Sequence, residues 1–150
     1  MSLKTPLEAF YEQVKQHPEQ LYLTQPIDGG VETYTWKEFD DIVRRTAAGL
    51  QKLGLEKGSH VALFSKNCAE WFIADLAMML AGYVSIPIFP TAGHNTINYV
   101  LKHADCKAMF VGKLDDEDSQ ISAIPDDVMT IGFPYVGDKV KINWKTFTDV

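Results

Sequence analysis

The chain has 150 residues, 46% of them apolar and 23% charged, with ten glycines and seven prolines. A chain of this size makes one domain or a slice of a larger one and can bury about 70% of its unfolded surface, so disordered, collagenous and low-complexity classes are excluded. Fourteen basic against twenty acidic residues leave a net charge of −6, and Lys/Arg cluster only as Arg44 with Arg45 and as Lys139 near Lys141. No nucleic-acid footprint is expected from that distribution.

Thr5, Pro6 and Glu8 combine an N-cap threonine, proline at the first helical position and a reciprocal capping glutamate, so a helix is predicted from there to about residue 17, before Pro18. Residues 21–24 and 32–35 flank Asp28, Gly29 and Gly30 and predict a β-hairpin with a loop longer than the tightest type. Thr35 and Glu38 form a second capping box. Trp36, Phe39, Val43, Ala47 and Leu50 share one helical face, which ends at Gly54 in the left-handed position. Asp40 precedes Arg44 and Asp41 precedes Arg45 by four residues, the spacing of supporting ion pairs on a solvated face.

From His60 the pattern becomes strand and helix in alternation. Apolar runs at 60–65, 83–89, 107–112 and 128–133 start 23, 24 and 21 residues apart, leaving room for a crossover helix each time. The first crossover, 68–80, is apolar nearly all round and is expected to be buried on more than one side. The second, 96–104, carries Ile97, Val100 and Leu101 on one face; the third, 118–123, is short. This predicts an α/β fold with a parallel sheet, helices on both faces and Rossmann- or flavodoxin-like βαβ units, preceded by a helix and a hairpin. Pro87 marks an edge or a bulge. Residues beyond Pro134 read as a surface connection, with a helix start at Asn143, Trp144 and Lys145.

Residues 71–89 are the one membrane-like stretch, with Asp75 as the single charge. Gly82, Pro87 and the β-branched residues divide it into a buried helix and a buried strand rather than one transmembrane span. The first dozen residues contain Glu8 and Glu12 and lack a basic region followed by an apolar run, which argues against a signal peptide. Cys68 and Cys106 lack zinc spacing and read as reduced and buried, in keeping with a cytoplasmic location.

Ligands of doubly wound sheets bind outside the carboxyl ends of the strands, which directs attention to residues 65–67, 90–95 and 112–116. None carries a phosphate loop. Gly49 and Gly54 imitate Walker A glycines, but Leu55 and Glu56 follow where Lys and Ser/Thr are required, so this stretch reads as a helix end. Asn67 reads as an N-cap with Glu70 three residues on, Asp75 must face solvent or be paired, and Lys66 is a solvated lysine before it is an anion ligand. His17, His60, His94 and His103 have no metal spacing. Residues 115–118 form an exposed acidic turn without the glycine and terminal glutamate of a calcium loop. No nucleophile with a supporting base can be assembled, and no catalytic, cofactor-binding or metal residue is assigned.

Three blocks carry a resemblance: ETYTWKEFDDIVRRTAAGLQKLGLEKGSHVALFSKN (32–67), AEWFIADLAMMLAGYVSIPIFPT (69–91) and INYVLKHADCKAMFVG (97–112). In this order they resemble the start of the adenylate-forming, AMP-binding superfamily, most closely the long-chain fatty-acid-CoA ligases, with luciferase-like and aryl-acid ligases sharing much of the pattern. The Asn67-to-Trp71 segment and the Pro-Ile-Phe-Pro-Thr run at 87–91 are the landmarks. The resemblance implies the N-terminal part of the large domain, divided into a helix, hairpin and amphipathic helix (1–58), the βαβ sheet (59–134) and an incomplete connection (135–150). It further implies a two-step reaction in the intact enzyme: a fatty-acid carboxylate attacks ATP to give acyl adenylate and pyrophosphate, and coenzyme A then takes the acyl group and releases AMP. ATP, Mg²⁺ and coenzyme A are implied for that enzyme, which is placed in the cytoplasm or peripherally at a membrane. The family's phosphate loop, magnesium glutamate, ribose aspartate and C-terminal lysine all lie downstream of the matched region. The 150-residue chain alone is therefore expected to be inactive, to hold no bound cofactor and to self-associate through uncovered surface. The alternative from the residues alone is a free-standing flavodoxin-like ligand-binding or interaction module.

Overall fold

A computed structural model describes residues 2–150. Helix α1 (Pro6–Gln16) starts at the predicted box: the Thr5 hydroxyl accepts from the Glu8 N–H, and the Glu8 carboxylate accepts from the Thr5 N–H. Strands β1 (Leu21–Ile27) and β2 (Gly30–Thr35) form an antiparallel hairpin whose turn is tighter than the sequence suggests. Ile27 pairs with Gly30, leaving only Asp28 and Gly29 as the loop, and Gly29 takes φ 83°, which a residue with a Cβ rarely adopts. The strand runs on through Pro26 because each strand of a two-stranded ribbon has an open edge on which a missing N–H is harmless. Helix α2 (Trp36–Lys52) follows from the Thr35–Glu38 box, buries Phe39, Val43, Ala47 and Leu50, and ends before Gly54 at φ 74°.

The sheet contains β3 (His60–Phe64), β4 (Val84–Ile88), β5 (Ala108–Val111), β6 (Met129–Gly132) and β7 (Ile142–Asn143), all parallel, in the order β4-β3-β5-β6-β7. Reversal of direction between β3 and β5 makes this a doubly wound sheet of the flavodoxin-like order. Pro87 lies on the edge strand. Val84 donates its N–H inward to the Ser59 carbonyl, so alternation turns the nitrogen of Pro87 away from β3.

Side chains alternate across the sheet. Val61, Leu63, Phe110, Ile131 and Phe133 face one cluster, and Ala62, Phe64, Met109 and Val111 face the other. The first face is covered by α2, α3 (Ala69–Ala81) and α6 (Trp144–Thr148), with α1 and the hairpin packed outside α2 and α3. The second face carries α4 (His94–His103) and α5 (Glu117–Ser122).

One expectation is corrected here. The segment after Pro134 is not a surface connection: it adds β7 to the sheet and docks α6. Trp144 and Phe147 share a helical face and set their rings edge-on against Phe110, while the Phe147 carbonyl sits where a Cβ on Gly49 would come within 2.7 Å. The helix start at Asn143 stands, since its side chain accepts from the Thr146 N–H at 2.9 Å. Helix α3 is buried on more than one side, as expected, against the sheet, α2, α1 and β1. Its alanines allow close approach to the sheet and α2, and the opposite stripe leaves Phe72 42% and Met79 39% exposed. Among the described residues, no helix is long and apolar enough to cross a membrane.

Candidate functional site

The carboxyl ends of β3 and β5 meet at the topological switch point, where doubly wound sheets usually open a crevice. Here the crevice is closed by the chain's own atoms. The buried Ser65 hydroxyl accepts from the Lys113 N–H at 2.9 Å and donates to the Lys66 carbonyl at 2.7 Å, and the Lys66 N–H donates to the Lys113 carbonyl at 2.8 Å. A Cβ on Gly112 would lie 2.2 Å from Ser65 Oγ and 2.5 Å from the Phe133 ring. The strands stay zipped together past their ends, leaving no cradle for a phosphate.

The open space lies one strand over. A cleft of about 440 Å³ is lined by Ser65, Lys66, Asn67, Trp71, Ile88 and Phe89 among others, with Phe89 82% exposed. The structure thus brings residues 65–67 to the end of β4 and ties residues 112–116 to them: Lys66 is ion-paired with Asp115. Residues 90–92 are held instead by α5, where the Gln120 amide donates to the Pro90 and Ala92 carbonyls at 2.7 and 3.0 Å. The cleft can bind and orient an apolar group beside an ammonium; its lining contains no nucleophile paired with a base.

Asn67 does not cap α3, contrary to the expectation from its spacing to Glu70. It is exposed one residue too early; Cys68 is the N-cap residue and makes no side-chain cap. The buried Gln25 of the hairpin takes that role, its Oε1 accepting from the Ala69 N–H at 2.7 Å. Glu70, read from sequence only as a capping partner, is 2% exposed, and its Oε1 accepts from the Tyr135 hydroxyl at 2.7 Å. Among the described residues its Oε2 has no partner. Burial pushes the Glu70 carboxyl above the usual carboxylate range, with the Tyr135 bond opposing. The Tyr135 and Tyr34 hydroxyls are pushed up by burial and by the nearby Glu70 charge, while the Lys113 ammonium sits 4.3 Å from the centre of the Tyr135 ring.

Both cysteines are free and buried. Burial raises the Cys68 thiol, and it raises Cys106 to about 11, so neither is an activated nucleophile. The histidines do not converge: His60 Nδ1 is 2.5 Å from the Ala104 carbonyl, and His103 stacks on Tyr99. Asp75 is half-buried on the exposed stripe of α3. Among the described residues, no group of three or more His, Cys, Asp or Glu side chains could hold a metal ion.

A family profile described as AMP-binding enzyme matches residues 10–143, which includes the hairpin, α2 and all five strands of the sheet. The chain belongs to the AMP-binding enzyme family. It is 31% identical over 114 residues to long chain acyl-CoA synthetase 2 of Arabidopsis thaliana, covering 73% of this chain but only 17% of that protein. An uncharacterized protein of Mycobacterium tuberculosis is 30% identical over 121 residues, covering 81% of this chain and 68% of its own length. Among solved structures, the anthranilate CoA ligase AuaEII in complex with anthranoyl-AMP superposes with a TM-score of 0.80 at 14% identity, covering 95% of this chain and 27% of that one. That likeness bears on the fold alone. AMP-binding enzymes use ATP and Mg²⁺, yet the closed switch point and the scattered acids do not fit a nucleotide-metal site, so no chemical step is assigned to these residues.

Proposed function

We propose that the chain forms the N-terminal part of the large domain of an ATP-dependent fatty acyl-CoA synthetase. In this reading residues 1–58 pack around the sheet, residues 59–134 form its first four strands, and residues 135–150 add the fifth strand and α6. The intact enzyme joins a fatty acid to AMP with loss of pyrophosphate and passes the acyl group to coenzyme A. The observation that carries this reading is the AMP-binding match over residues 10–143, combined with 31% identity to a long-chain synthetase that is far longer than this chain. The chain's own contribution is positional: Ser65, Gly112 and Lys113 lock β3 to β5, and the Glu70–Tyr135 bond fixes the loop after β6 to the start of α3. Self-association through surface that the remaining domain covers is part of the proposal. A monomer over a wide concentration range in ultracentrifugation removes that part.

ATP–pyrophosphate exchange tests the whole. The purified 150-residue chain is expected to give none with hexadecanoate, and the product of the reading frame continued past the Val150 codon is expected to give exchange with hexadecanoate well above that with anthranilate. Exchange by the short chain, a frame that closes at Val150, or exchange confined to aryl acids each overturns the reading.

A further inference from the structure

Helices α1 and α3 leave a groove of about 290 Å³ between them, away from the carboxyl-end cleft. Pro6, Ala9, Phe10 and Gln13 repeat at the helical spacing on one wall, and Phe72, Asp75, Leu76 and Met79 repeat at the same spacing on the other. Tyr22 and Trp36, stacked with ring centres 3.8 Å apart, complete the lining. Four aromatic side chains and a methionine thus surround one carboxylate, and Asp75 is the single charged residue of the lining. Among the described residues, no hydrogen bond or ion pair engages that carboxylate; Asp127, Asp138 and Asp149 also lack a cationic partner but are exposed, whereas Asp75 is half-buried among the rings.

We propose that this groove receives an arginine side chain presented by a polypeptide partner. An apolar wall can take the aliphatic stem, aromatic rings attract the planar guanidinium, and one carboxylate can accept its two parallel N–H groups. A carboxylate-bearing ligand is repelled by the same Asp75, so the groove is not a second place for the fatty acid. The inference rests on the groove and requires that the proposed self-association use a surface other than the Phe72 stripe of α3.

The probe is N-acetyl-arginine amide, titrated while NMR follows the Trp36 indole N–H and the Met79 methyl group; its neutral isostere N-acetyl-citrulline amide is the reference. Saturable shifts are expected with the arginine derivative, with affinity at least about fivefold above that of the citrulline derivative. Asp75→Asn should reduce the arginine affinity by a similar factor and leave the resonances of β5 and β6 in place, while Asp149→Asn should change nothing. Equal response to both probes or absence of a saturable shift overturns the proposal. So does a Phe72-dependent dimer in sedimentation velocity, because a second copy then fills the groove.

Discussion

The two faces of the sheet are built differently. The first is aromatic and deep: Phe39 meets Phe10, Tyr22 and Tyr34 at ring separations of 5.0–5.9 Å, and Phe110 meets Phe133, Trp144 and Phe147, so helices, hairpin and sheet share one cluster. The second is mostly aliphatic and shallow, with the single ring of Phe64 among Ile88, Ile97, Leu101, Met109 and Val111 under two short helices. Rings that interlock with several elements at once make the first face the cooperative part of the molecule. The second face can lose single methyl groups at modest cost.

That difference is broken most directly by truncation. Phe39→Ala is expected to cost about 3–5 kcal/mol, and Phe64→Ala, the equally buried ring of the second face, is expected to cost less within that range. Urea denaturation of both variants measures the gap. Equal losses would mean that the aromatic face is no more than its buried area. Gly112→Ala tests the same face where it meets the carboxyl end of the sheet. The new methyl group must displace Ser65 or Phe133, since it would lie 2.2 and 2.5 Å from them. A loss of about 1–3 kcal/mol is expected from overpacking, and Gly137→Ala, with no atom within 4 Å of its added Cβ, is the control.

The sequence exposed most of this architecture because its signals were local. The two capping boxes, the apolar face of α2 and the spacing of four strands each need only neighbouring residues to be read. Order in the sheet did not follow, because Rossmann- and flavodoxin-like arrangements share the same alternation of strand and helix; the order β4-β3-β5-β6-β7 is read from the structure. Hidden features depend on partners far along the chain. Gln25 caps α3 from 44 residues away, and Tyr135 reaches Glu70 across 65. Residues 142–143 are too short to show a strand period, and they join the sheet because Trp144 and Phe147 anchor them. Of the candidate site, the strand ends were legible, but not that the switch point between β3 and β5 would be filled by Ser65 against Gly112. Sequence spacing carries no information on which crevice stays open.

Glu70 sharpens the comparison through pH, because it is a buried acid at the edge of the first face. Burial raises its pKa in the fold, so the protonated acid is favoured. That contribution is complete below the ordinary carboxylate pKa of about 4.5 and is lost as pH rises through the raised value. Glu70→Gln keeps an acceptor for Tyr135 and carries no charge. Its stability relative to wild type is therefore expected to rise from about pH 4 upward until Glu70 is fully ionised, as read from urea midpoints at successive pH values. Parallel profiles for the two proteins would show that Glu70 feels no net burial.

The smallest expected effects lie on the outer surface of α2, where neighbouring arginines look alike in sequence. Arg45 is paired with Asp41 at 2.8 Å in an exposed i,i+4 pair, and Arg45→Ala is expected to cost no more than about 0.5 kcal/mol. Arg44 pairs with the better shielded Asp40 at 3.0 Å, and its guanidinium also lies 5.0 Å from the centre of the Tyr11 ring on α1. Arg44→Ala removes that second contact, worth about 0.5–1 kcal/mol at a partly exposed site, and should therefore cost measurably more than Arg45→Ala. The difference should vanish in a Tyr11→Leu background, where the ring is gone but the apolar cover of α1 is largely kept. If it persists there, the extra cost belongs to the shielded Asp40 pair, and α1 is held to α2 by its apolar contacts alone.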